Sequence, residues 1–220
     1  MRISTTQIES FRWIMDTEYG CEVELIEAIK GSPFTPTWQM HGGTAWHAAL
    51  ESAVLPEDDQ ETVEIGQFSF RAGAVRFARK LLGPGLFEVK GTKQVAIQGQ
   101  PVTVVAQADH VRGLFIQDNK TKFHSANAPK PWQYDNSLQW RFYLWIHEAA
   151  IFRFNRFLFD EPYGGLCALK DVQTFKYFPY AGLHSECMEW LERFVDWAGT
   201  HKLWPFLERE GSSPNLPGED

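Results

Sequence analysis

Cysteine is scarce in this chain. Cys21, Cys167 and Cys187 are the whole complement, an odd number with no Cys-x-x-Cys pair. Neither a disulfide framework nor a cysteine zinc site is expected, and a reducing cytosol suits such a composition. Long apolar runs are missing as well, and nothing approaches the roughly 20 residues that a bilayer-spanning helix needs. The opening residues, Met1 to Thr6, have neither the apolar core nor the small-residue cleavage site of a secretory signal. There is no internal repeat and no low-complexity run. Positive charge is also in deficit, with 21 Lys and Arg against 28 Asp and Glu and a net charge of −7. Backbone binding to nucleic acid relies on Lys and Arg neutralising phosphates, so the total charge argues against such a partner. That argument weakens where the excess acid is gathered in a metal site and a tail, because local distribution then matters more than the sum.

What is present suffices for a core: 44% hydrophobic and 15% aromatic residues in 220. One domain is expected over 1–210, followed by a disordered acidic tail over 211–220, rich in Gly, Ser, Pro and acid. Ser4 or Thr5 can cap a first helix carrying Ile8, Phe11, Ile14 and Met15 at helical spacing. Gly31, Pro33 and Pro36 mark a loop, and a second helix is expected from about Gly43 through Glu51. Residues 63–70 alternate weakly, and 71–82 read as a short basic helix. After Gly83-Pro84-Gly85, three strand-like runs follow, Leu86 to Ile97, Val102 to Val111 and Leu114 to Thr121. Their short connections predict an antiparallel meander. A Pro-rich loop, Ala128 to Trp132, leads into a run from Ser137 to Phe157 that is apolar on nearly every side, read as one long buried helix. A strand over Val172 to Phe178 and a helix over Ser185 to Trp197 complete an α/β or α+β sheet with helices on it.

Two acids stand out within the meander. Asp109 lies near the end of its second strand and Asp118 on its third, so the turn at Arg112-Gly113 makes them neighbours. Carboxylates brought together this way repel unless a cation joins them, and oxygen ligands suit Mg²⁺ or Mn²⁺. Asp118 and Lys120, two apart on a strand, emerge on one face. This sets an ammonium where it can stabilise phosphorane charge or help position an attacking water. Asp-x-Lys alone is common, and a strand-end Asp is often a mere turn former.

The order of the surrounding motifs adds weight. Ile3-Ser4-Thr5-Thr6-Gln7-Ile8-Glu9-Ser10-Phe11 opens the chain, Gly43-Thr44-Ala45-Trp46-His47-Ala48-Ala49-Leu50-Glu51 follows, then the paired strands, then Gln139-Trp140-Arg141-Phe142-Tyr143. In this order the chain resembles the RecB-like branch of the PD-(D/E)XK nuclease superfamily, which includes phage recombination exonucleases related to lambda exonuclease. The resemblance runs from Ile3 to about Phe178. It implies a restriction-endonuclease-like core, a central mixed sheet of four to five strands flanked by helices. It also implies a Mg²⁺- or Mn²⁺-dependent DNA exonuclease acting in recombination, repair or phage DNA processing, in the cytoplasm of a bacterium or a phage-infected host.

The same resemblance assigns roles by position. His47 matches a metal-binding histidine, Asp109 and Asp118 the metal carboxylates, Lys120 the motif lysine, and the Asn119 carbonyl a further ligand. Glu88 matches an acidic position preceding the metal Asp, or is a solvated strand glutamate. Gln139 and Tyr143, one helical turn apart, match a Gln-x-x-x-Tyr that orients the lysine or touches DNA, or else they pack. Asp118 stands where many relatives have Glu, and Asn119 replaces a common Trp or Tyr. Iron–sulfur members of the branch carry one early and three late cysteines, a pattern this chain lacks, so no cluster is expected. A ring-like homo-oligomer around duplex DNA and a single-strand annealing protein as partner belong to the same implication.

A phosphate track is expected over Arg71, Arg76, Arg79 and Lys80, with Lys120, Lys122 and Lys130 as a second group. The first group reads equally as a solvated helix face. Trp46, Phe68 and Trp132 either stack on bases or pack in the core, and the acid of Glu57-Asp58-Asp59, Glu61 and the tail is expected away from the groove. Two rival readings remain. One is a non-catalytic nucleic-acid-binding or assembly module on the same fold. The other is a hydrolase using His110, His124 or Cys167, which no Gly-x-Ser-x-Gly or Cys/His signature supports.

Overall fold

The computed structural model describes residues 1–16, 20–123, 131–160 and 165–208, with the backbone alone at 131 and 132. Ala128 to Lys130, His124, the Trp132 side chain and the expected tail lie outside the described residues.

A short strand, Arg2–Ser4 (β1), opens the chain and runs into the helix Thr5–Asp16 (α1). Ser4 is its cap: the Gln7 amide N–H donates to Ser4 Oγ (3.2 Å) and Ser4 N–H donates to Gln7 Oε1 (2.8 Å), a reciprocal capping box. Glu22–Lys30 (α2) comes next. Thr37 caps the helix Trp38–Glu51 (α3) through the Met40 N–H, so that helix starts before the expected Gly43. Gly42 and Gly43 sit inside it because α3 runs hard against the sheet. A Cβ on Gly42 would stand 2.6 Å from the Phe123 ring, and one on Gly43 2.8 Å from Thr121 Oγ1.

Thr62–Ile65 (β2) and Phe68–Arg71 (β3) pair as a hairpin over the weakly alternating stretch, and Ala72–Leu82 (α4) is the basic helix. The meander is present as Leu86–Ile97 (β4), Gln100–Arg112 (β5) and Phe115–Phe123 (β6), antiparallel throughout.

The single long helix expected over Ser137 to Phe157 is corrected. Pro131–Asp135 (α5) and Leu138–His147 (α6) are helical, but Glu148 turns left-handed (φ 51°) as its N–H closes on the Leu144 carbonyl. The chain then leaves as a strand, Ile151–Phe159 (β7), parallel to β6. Eight of its nine residues are buried, so no alternation survives to mark a strand. Leu166–Cys167 (β8), Leu169–Tyr177 (β9), Leu183–Thr200 (α7) and Trp204–Leu207 (α8) follow.

The main sheet runs β1-β5-β6-β7-β9 with β4 paired to β5, giving six strands where four to five were expected. A smaller sheet, β2-β3-β8, lies beside it. One core holds Ile8, Phe11, Phe142, Phe152, Phe154 and Phe194 from α1, α6, α7 and the even-numbered face of β7. The other holds Trp46, Phe70, Phe157 and Phe159 from α3, the small sheet and the odd-numbered face. Trp46 meets those three rings at 5.0–5.1 Å, and pairs of this kind add about 0.5–1.5 kcal/mol each beyond area burial. Trp46 and Phe68 are therefore core residues rather than stacking platforms. Among the described residues no helix is long and apolar enough to cross a membrane.

Candidate active site

The site forms where two strands part. The β5–β6 ladder holds from His110↔Gln117 to Arg112↔Phe115 and then ends, while β1 takes the place beside β5 at 103–105. Beyond the split, the Asn119 peptide has no ladder partner on the β5 side, and its groups turn to the site instead. Its N–H donates to Asp109 Oδ2 (2.5 Å), and its carbonyl meets His47 Nε2 (2.9 Å). His47 can reach that carbonyl because the glycine pair lets α3 approach β6 so closely.

His47 Nε2 also lies 3.8 Å from Asp109 Oδ2, and its Nδ1 lies 4.0 Å from Glu88 Oε1. Glu88 sits inside β4 yet adopts φ 53°, a left-handed conformation costly for a non-glycine residue, about 1–3 kcal/mol. Gln107 Nε2 donates to its other oxygen. The nearby imidazole is the main reason the Glu88 carboxyl titrates below its usual range, with Gln107 assisting against burial. His47, Glu88 and Asp109 each offer a ligand atom, and these atoms lie within 4.8 Å of one another. Asp118 stands beside this set with different partners. Its Oδ2 pairs with Lys120 Nζ at 3.0 Å, and its Oδ1 accepts from Gln139 Nε2 at 3.2 Å. Glu88, expected only as support, is thus in the compact donor group, whereas Asp118 joins the lysine.

Two carboxylates, one imidazole and a facing carbonyl form an oxygen-rich set with one nitrogen, chemistry that fits Mg²⁺ or Mn²⁺. The side chains of Asp109 and His47 are 16% and 25% exposed, shielded but reachable. Burial opposes charge on His47, but Asp109, Glu88, the Asn119 carbonyl and Asp118 outweigh it and push its pKa up to about 9. Burial pushes Asp109 up to about 7, reinforced by Asp118 and opposed by His47, Lys120 and the Asn119 N–H. Burial likewise opposes charge on Lys120, yet Asp118 and Asp109 hold its ammonium firmly protonated.

A pH dependence follows with a definite sign. Both raised values mean that the metal-free fold holds these protons more tightly than the unfolded chain. Their stabilisation is present below the ordinary values and is lost as pH rises, through about 7 for Asp109 and about 9 for His47. A ligating cation needs both groups proton-free. The gain in melting temperature from a fixed Mn²⁺ concentration should therefore grow from about pH 6 to about pH 9. Thermal melts across that range check it, and a flat gain would contradict it.

Other expected site residues divide into two groups. Gln139 reaches Asp118 rather than the lysine, and lies 3.5 Å from the Tyr143 hydroxyl, which donates to the Gln107 carbonyl at 2.6 Å. The basic cluster is not turned toward this centre. Arg71 donates to the Gln60 carbonyl, and Arg76 holds Asp59 and the Pro56 and Glu57 carbonyls. Arg79 donates to the Leu50 and Ser52 carbonyls at the end of α3, groups that helix geometry leaves without partners. These arginines tie the 52–61 segment to α4, and Asp59 is part of that tie. Lys80 is exposed and Lys122 half-buried, while Lys130 lies outside the described residues.

Sequence reasoning missed Glu9. Its buried carboxylate accepts the Leu138 and Gln139 N–H groups (2.5 and 3.2 Å), capping α6 from another helix, and pairs with Arg12 (2.6 Å). The helix bearing Gln139 is therefore anchored by α1. A motif of nine residues at the chain start carried Glu9 without indicating what it would touch.

No family model matches the chain, and no curated protein matches it. Solved structures do. An alkaline exonuclease from Laribacter hongkongensis (LHK-Exo) superposes with a TM-score of 0.53 at 12% identity, covering 93% of this chain and 91% of that one. A phage-related exonuclease from Haemophilus somnus 129PT matches with a TM-score of 0.49 at 12% identity, covering 92% of this chain and 96% of that one. The chain thus shares its fold with the Laribacter alkaline exonuclease, a mixed sheet flanked by helices as expected from the sequence.

Proposed function

We propose that this chain is a divalent-metal-dependent deoxyribonuclease that hydrolyses phosphodiester bonds from DNA ends. The observation that carries the reading is the convergence of His47, Glu88, Asp109 and the Asn119 carbonyl beside the Asp118–Lys120 pair, at the split between β5 and β6. The fold shared with an alkaline exonuclease supports it.

A bound Mg²⁺ or Mn²⁺ would polarise the scissile phosphate and lower the pKa of a nearby water. The residues of this chain do the rest. Lys120, kept charged by Asp118 and Asp109, presents an ammonium to the negative charge that builds on the phosphate oxygens. Paired with Asp118 at 3.0 Å, it plays an electrostatic part. Gln139 fixes Asp118, and Tyr143 fixes Gln139 by anchoring on the Gln107 carbonyl. Asp109 is oriented by the Asn119 N–H, so the two strands cannot slide without disturbing the donor set. A role in recombination, repair or phage DNA processing extends the same reading. So do a ring-like homo-oligomer around duplex DNA and a single-strand annealing protein as partner.

The test is digestion of end-labelled linear duplexes with 5′ or 3′ overhangs beside covalently closed circles, with Mg²⁺ or with chelator. Loss of the linear DNA alone, only with metal, is the expected result. Cutting of the circles would sink the end-dependent reading, and intact linear and single-stranded DNA would sink the nuclease.

A further inference from the structure

Behind the site, on the face of the sheet that packs against α3 and α4, the centre of the fold is unexpectedly polar. His110, Gln117 and Asn155 are fully buried, and Asn119 and Arg153 nearly so. They form one chain of hydrogen bonds. Arg153 Nη2 and Asn155 Nδ2 donate to Gln117 Oε1, and Gln117 Nε2 meets His110 Nδ1 (3.0 Å) and the Leu82 carbonyl (2.9 Å). Asn155 Nδ2 donates onward to Asn119 Oδ1 at 3.0 Å.

Part of this chain has a structural purpose. Gln117 and Arg153 donate to the Leu82 and Leu81 carbonyls, the last carbonyls of α4, which need donors. Asn155 has no such task. Its amide bridges Gln117 and Asn119, while its own Oδ1 is buried without a hydrogen-bond partner among the described residues. A buried unpaired acceptor costs about 1–3 kcal/mol, and an apolar β-branched residue in a central strand would avoid that cost. The cost is borne at the position opposite Asn119 in the parallel β6–β7 register. Asn119 is the residue whose N–H orients Asp109 and whose carbonyl faces His47.

We propose that Asn155 is a positioning residue of the candidate metal centre. It clamps the Asn119 side chain from behind the sheet so that the Asn119 peptide keeps its N–H on Asp109 and its carbonyl toward the cation site. The inference rests on the metal-centre reading above. The backbone around Asn119 lacks a ladder partner on the β5 side and is held in register only by β7, so the side-chain clamp adds to what keeps the peptide turned toward the site. Gln117 supports Asn155 by presenting Oε1, and Arg153 polarises that oxygen.

Isothermal titration of the metal-free full-length protein with Mn²⁺, paired with metal-free melting, tests this. Asn155→Val should weaken Mn²⁺ binding by about tenfold or more, the scale of lost outer-shell partners, without lowering the metal-free melting temperature. Asn119→Val should weaken it similarly, and the double variant should be no worse than either alone, because both remove one bond. Gln117→Glu keeps the acceptor but loses both donated bonds, so it should lower the melting temperature and hold Mn²⁺ affinity within about twofold. An Asn155→Val isotherm within about twofold of wild type overturns the proposal, as does an equal loss in Gln117→Glu, which would mark general packing. A wild-type protein that binds no Mn²⁺ overturns the metal-centre reading itself, and this proposal with it.

Discussion

Asp109→Ala is expected to abolish both Mn²⁺ binding and metal-dependent cleavage of linear DNA. Asp109 contributes its oxygen to the compact donor set, 3.8 Å from His47 Nε2, and takes the Asn119 N–H. Its loss removes a ligand and unlocks the peptide that offers the next one. Turnover should fall by at least about 10³-fold, since losing even one preorganised electrostatic stabiliser costs about 10²–10³. Lys120→Met is the informative contrast. Its ammonium lies 3.0 Å from Asp118 and outside the donor set. Removing it leaves more negative charge for the cation, so Mn²⁺ binding should persist or tighten while cleavage is lost. Calorimetry and single-turnover digestion on the two variants separate binding from chemistry. If Asp109→Ala digests DNA as the wild type does, the site is not where cleavage happens.

Glu9→Ala is expected to carry the largest stability cost. Glu9 and Arg12 have side chains 6% and 7% exposed, and the carboxylate also receives two N–H groups at the start of α6. Truncation leaves the Leu138 N–H without this acceptor and takes from Arg12 its closest charge partner. Breaking a buried pair of this sort costs about 3–5 kcal/mol. For a chain of this size that is a drop on the order of 10 °C in melting temperature. Glu9→Gln, which still offers one acceptor oxygen, should lose less. The effect should reach the site: α6 carries Gln139, so cleavage at a temperature where Glu9→Ala remains folded should also fall. Urea unfolding with matched activity assays reads both. An unchanged midpoint would mean that α6 keeps its start without the carboxylate.

The meander was legible because its signals are local. Turns at Gln98 to Pro101 and Arg112-Gly113 punctuate runs that alternate, and alternation needs one wet face. The same logic explains the failure over Ser137 to Phe157. β7 lies between β6 and β9 with apolar or polar-paired residues on both sides, so neither a period of two nor one of 3.6 stands out. The helix ends at Glu148 by a left-handed turn of a residue that carries no such preference in sequence. Two of the strand's polar members, Arg153 and Asn155, lie on the inner face of the sheet, where each donates to a buried partner.

Within the candidate site, the spacing of Asp109, Asp118 and Lys120 alone suggested a metal pocket, and the order of His47, Asp109, Asp118, Lys120 and Gln139 along the chain pointed to the fold. The spacing follows from the geometry of a strand and a hairpin, which act over a few residues, whereas the fold was implied by the resemblance that the motif order carries. Tertiary structure alone decided which partners each residue took. It drew Glu88 into the donor set, turned Asp118 toward Lys120, and gave the arginines of α4 to the carbonyls of α3 and the 52–61 segment. It also brought Glu9 to the start of α6 and Asn155 behind Asn119. The last two join residues 130 and 36 positions apart. Their energies depend on burial and on which hydrogen-bonding groups the strand split leaves unpaired, and neither quantity exists until the sheet and its helices have closed.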